Sequence, residues 1–126
     1  MRKALKYILA EMKSAGINYH FQKYKTNEPV YPYFVGELLP VIPINEDGIK
    51  EYTLSLKGFH RGNLVELLEE VDKIEELFPC IGGSRTVIDN ESVAVFFDTC
   101  QPIDSMMEGV EKVIVNLTIK TLKGRS

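Results

Sequence analysis

Two histidines and two cysteines are the side chains of this 126-residue chain best suited to reactive chemistry. His20, His60, Cys80 and Cys100 are residue types that bind zinc, but a zinc site read from sequence needs ligands paired at short spacing. No two of the four fall at such a spacing. The carboxylates concentrate in ELLEEVDKIEELF, where Glu66, Glu69, Glu70, Asp72, Glu75 and Glu76 mostly lie opposite the leucines, as on a solvated helix face. General acid–base catalysis needs two carboxylates converging in a pocket, and nothing in the spacing brings a pair together. GGS (Gly82 to Ser84) follows a helical pattern and precedes no GK[ST], so it reads as a helix stop and connector rather than a phosphate loop. No GxSxG elbow occurs. The expectation is therefore a protein that is not an enzyme and uses no cofactor or metal.

Composition narrows the class further. One domain spanning residues 1–126 suits this length, and such a chain buries roughly two-thirds of its unfolded surface. Hydrophobic residues make up 44% and charged residues 26%, as in ordinary soluble domains, which argues against disorder. Net charge is −3, and the cations are scattered apart from Arg2, Lys3 and Lys6. Nucleic-acid binders usually mass positive charge, so no specific nucleic-acid binding is expected. No signal-peptide pattern and no run of ~18 apolar residues appears, so no membrane role is expected. A reducing cytoplasm follows, with Cys80 and Cys100 read as free buried thiols in preference to a disulfide.

Periodicity supplies the elements. Leu5, Ile8, Leu9 and Met12 form one helical face, ended by Gly16. Ile17 to Tyr24 alternates as a strand, and TNEP turns. VYPYFVGELLP (Val30 to Pro40) is a second strand. Pro32, lacking an amide hydrogen, marks its start or a sheet edge, and Pro40 and Pro43 stop it. NEDG (Asn45 to Gly48) turns into a third strand, Lys50 to His60. Asn63 caps the second helix, with Glu66 as capping-box partner. Leu64, Leu67, Leu68, Val71, Ile74, Leu77 and Phe78 are its apolar stripe, and Pro79 with Gly82–Gly83 ends it. Glu91 to Asp98, apolar on both faces, is a central strand, and Glu111 to Leu122 is the last. KGRS reads as a frayed tail. The order α-β-β-β-α-β-β, with short turns, gives an α+β domain: a mainly antiparallel sheet with two packed helices.

Two stretches exceed what packing asks for. One is the aromatic, proline-punctuated strand carrying Tyr31, Tyr33 and Val35. The other is the loop CQPIDSMMEG, where Ile103, Met106 and Met107 stand where turn chemistry favours Gly, Asn or Asp. Exposed methionines suit adaptable protein contacts, although the loop could equally fold back and cap the core. These six residues are the candidate protein interface.

The chain as a whole resembles the tail terminators and minor tail proteins that complete the tails of bacteriophages and prophages. The resemblance rests on the N-terminal helix, VYPYFVGEL, KEYTLSLKGF, the leucine-striped NLVELLEEVDKIEELF, and the late strands SVAVFFDTC and EKVIVNLTIKTL. The GELLPVIPINEDG connection departs from it. The resemblance implies a minor structural protein of virion assembly. Such a protein is made in the bacterial cytoplasm and found in the virion tail after assembly. It forms a ring, commonly a hexamer, at the head-proximal end of the tail tube. Its partners would be itself, the tail tube protein and the head-tail connector. A ring needs heterologous interfaces that close on themselves. The alternative is a small ferredoxin-like binding or regulatory module.

Overall fold

The computed structural model describes residues 2–23, 30–39 and 48–124. Helix α1 (Arg2–Ser14) leads through β1 (Tyr19–Phe21), β2 (Tyr33–Leu39) and β3 (Ile49–Arg61) to helix α2 (Leu64–Leu77). β4 (Ser84–Ile88), β5 (Glu91–Ile103) and β6 (Val110–Lys123) follow. The six strands form one sheet in the order β1-β2-β3-β6-β5-β4, and every neighbouring pair except β1–β2 is antiparallel. The fold is α+β, a mainly antiparallel sheet with two helices, as the sequence pattern implies. The turns TNEP and NEDG (apart from Gly48), Tyr24, the stops Pro40 and Pro43, and the last two residues of the tail lie outside the described residues.

Side-chain parity divides the sheet into two unlike faces. Tyr19, Phe34, Tyr52, Leu54, Leu56, Val93, Val95, Phe97, Val113, Val115, Leu117 and Ile119 share one face and join both helices in a single core cluster. Residues of opposite parity point away from the helices, because successive strand side chains alternate. α2 gives Leu67, Val71 and Ile74 to that core, with Leu64, Leu68 and Leu77 half-buried beside them. On α1 the buried line is Ala4, Ile8 and Met12, whereas Leu9 is 46% exposed. The expected stripe is therefore rotated toward Ala4.

Asn63 caps α2, its Oδ1 accepting the Glu66 N–H at 2.9 Å. The Glu66 carboxylate, expected to complete a capping box, turns instead to His60, 3.4 Å from Nε2. Two further differences concern strands. β4 begins at Ser84, the last residue of the GGS read as a connector, and continues through residues 85–88, to which the pattern assigns no element. Asp89 and Asn90, both at positive φ, make the two-residue turn that folds it onto β5. β1 runs parallel to β2 rather than antiparallel to it. Gln22, at φ 71°, breaks the extended chain straight after Phe21, and its N–H bonds to the Gly36 carbonyl.

Candidate interaction surface

The face of the sheet away from the helices gathers the residues singled out by sequence. At one end, strand register sets Tyr33 beside Phe59, Phe59 beside Lys112, and Lys112 beside Ile103. These four residues form one lateral row across β2, β3, β6 and β5, about 14 Å wide at the usual strand spacing. Tyr33 stacks on Phe59 with ring centroids 5.1 Å apart, and Tyr31 tilts against Tyr33 at 5.5 Å. Cations cover the rings: the Arg61 guanidinium lies 5.8 Å from the Tyr31 centroid and Lys112 Nζ lies 5.3 Å from that of Phe59. The next row inward is Val35, Lys57, Ile114 and Gln101. There Lys57 faces Glu37, 4.0 Å away.

Beyond Ile103 the chain turns into β6 through Asp104–Gly109. Met106 is 88% exposed and Met107 53%, so the methionines project rather than cap the core. The turn is internally bonded. Asp104 Oδ1 accepts the Met106 N–H at 2.9 Å, and Ser105 Oγ accepts the Met107 N–H at 3.1 Å. Ser105 Oγ also lies 2.6 Å from the Val110 carbonyl, to which it can donate. Met106 is held at φ 61°, a region that side-chain-bearing residues seldom occupy and that costs of order 1–3 kcal/mol. All six interface candidates thus fall at one end of the sheet. Tyr31, Tyr33, Val35 and Ile103 are half-buried, and the two methionines stand out beyond them.

Sequence reasoning missed Phe59, Arg61, Lys112 and Ile114, which link the two patches. Phe59 carried a signal: it shares parity with Thr53, Ser55 and Lys57, the polar side of its strand. A groove at the opposite end of the same face was missed too. It has a volume of about 540 Å³ and is floored by Ile49, Ala94, Phe96 and Leu122. Arg85 and Lys120 flank the Phe96 ring, 5.4 and 5.6 Å from its centroid. The apolar second face of Glu91 to Asp98 was its trace in the sequence.

The chemistry-bearing residues lie elsewhere and apart. His60 is buried on the helix side, beside Glu66. His20 lies 2.8 Å from Asn18 Oδ1. Both cysteines are free. Cys80 is exposed, contrary to the expected burial, because it follows α2 in the turn leading to β4. Cys100 is half-buried under α2. Burial pushes its thiol up from the ordinary value, and the carboxylates of Asp72 and Glu75 add to the shift. Burial likewise raises the Tyr19 phenol, whose ring lies against Gly36. Among the described residues no three His, Cys, Asp or Glu side chains are grouped to hold a metal ion, and no helix is long and apolar enough to cross a membrane. No protein-family model matches the chain, and none of the curated proteins matches it.

Proposed function

We propose that this chain is a structural assembly protein of a phage or prophage tail, a ring-forming terminator or tail-completion protein at the head-proximal end of the tail tube. The observation that carries this reading is the sheet face turned away from both described helices. One end of it holds an aromatic and aliphatic corner of Tyr31, Tyr33, Val35, Phe59 and Ile103, continuous with the exposed Met106–Met107 turn. A two-layer domain with both described helices on one side leaves the other side of its mainly antiparallel sheet open to water or to a partner, and apolar side chains gathered there favour a partner. Aromatic and methionine side chains are the types enriched where proteins meet. The reading also draws on the resemblance of the element order to that of tail-completion proteins, to which this chain adds β4. The ferredoxin-like alternative fits less well, since that fold runs β-α-β-β-α-β whereas this chain opens with a helix and three successive strands.

Light scattering coupled to size-exclusion chromatography, with negative-stain microscopy of the eluted species, tests the proposal. The expected result is a concentration-dependent closed ring that caps tail tubes polymerised from the cognate tube protein. A strict monomer with no effect on tube length would sink it. A monomer that takes a small molecule into the Phe96 groove would favour the binding-module reading.

A further inference from the structure

The strand pair β5–β6 carries a projection at one end and a recess at the other. The projection is the Asp104–Gly109 turn, with its exposed methionines between Asp104 and Glu108. The recess is the groove on the face away from both described helices, with Phe96, Ala94, Ile49 and Leu122 as its floor and Arg85 and Lys120 at its flanks. We infer that the groove receives the Met106–Met107 turn of a second copy of this chain, making a head-to-tail contact. This rests on the ring-forming reading above and specifies the interface such a ring would use.

Three observations fit this occupant. The first is charge complementarity. The turn presents two carboxylates, and the groove presents two cations that form no ion pair among the described residues. The second is apolar complementarity. Thioethers make favourable contacts with aromatic rings, Phe96 supplies a ring, and Leu122 is itself 40% exposed at the groove. The third is preorganisation. The Asp104 and Ser105 hydrogen bonds hold Met106 in its left-handed conformation before any partner arrives, so little ordering cost falls on binding. Projection and recess sit at opposite ends of strands 13 and 14 residues long, so each copy presents one of each. Passed from copy to copy, as the ring-forming reading has it, the contact is heterologous and generates a ring when the rotation closes, whereas two copies exchanging turns reciprocally would stop at a two-fold dimer.

The test is a pair of charge-altered variants. One replaces Asp104→Asn and Glu108→Lys, the asparagine keeping an oxygen acceptor for the Met106 N–H. The other replaces Arg85→Glu and Lys120→Gln, the glutamine avoiding a like charge opposite Glu51 in the ladder. Each variant alone should need at least about tenfold more protein to assemble, as loss of close charge pairs at an interface does. An equimolar mixture should recover assembly, because each turn then meets a groove of opposite charge. A disulfide formed between Met106→Cys and Leu122→Cys of different copies, in a Cys80→Ser, Cys100→Ser background, gives a readout that survives if a charge variant folds poorly. Rings that form unchanged in both variants and yield no such disulfide would overturn the inference while leaving the ring reading standing. Wild-type protein that stays monomeric throughout would overturn both.

Discussion

Tyr33 of β2 stacks on Phe59 of β3, centroids 5.1 Å apart and planes 26° from parallel, on the face of the sheet away from both described helices. The pair joins the aromatic strand seen in the sequence to a residue that periodicity alone assigns to a polar side. Offset aromatic pairs contribute about 0.5–1.5 kcal/mol beyond their buried area. A double-mutant cycle with Tyr33→Ala and Phe59→Ala, read by urea denaturation, should give a coupling energy in that range. Additive effects of the two changes would show that the rings do not interact in solution.

The core makes a sharper claim on α2. Leu67 is wholly buried, whereas Leu68 only packs against the cluster's edge. Leu67→Ala should cost ~2–5 kcal/mol, the range for deleting a buried leucine side chain. Leu68→Ala should cost less, roughly 1–2 kcal/mol, as half-buried positions do. Equal losses, or a reversed order, would mean that α2 is rotated about its axis relative to the sheet.

The cysteines should differ in reactivity. The thiolate is the reactive form, and Cys100 is held protonated by burial with Asp72 and Glu75 nearby, while Cys80 is exposed. With single Cys→Ser variants, the exposed Cys80 should be alkylated readily, and alkylation of Cys100 should be slow and speed up only as the pH is raised. The linkage has a definite sign. A thiol whose folded value is raised contributes stability below its unfolded value and loses it as pH climbs through the raised one. Wild-type protein should therefore lose stability on the alkaline side of the thiol range relative to Cys100→Ser. Matching alkylation profiles for the two cysteines would contradict the placement of Cys100 under α2.

Strand and helix periods made most of this fold legible, because burial on one face writes itself into the sequence at a spacing of two or 3.6 residues. The stripe Leu67, Val71, Ile74 and the alternation Tyr52, Leu54, Leu56 are of that kind. β4 was not legible: its burial never exceeds an intermediate level at this edge, so SRTVI carries no apolar alternation to read. The parallel pairing of β1 was hidden as well, since its three residues carry nothing that distinguishes the two directions. For the candidate surface, the sequence marked Tyr31, Tyr33, Val35, Ile103, Met106 and Met107 as misplaced for packing. It could not show that they share one end of one face, because that follows from the long-range register of β2, β3, β6 and β5.

Assembly of the wild-type chain against the Met106→Ser, Met107→Ser double variant bears most directly on the central claim. Both side chains are exposed, so the variant should keep its thermal midpoint within a few degrees, as surface changes of about 0.5 kcal/mol or less do. Light scattering across a concentration series should show rings for the wild type and monomers for the variant. A variant that assembles like the wild type, or a wild type that never leaves the monomer, would contradict the account.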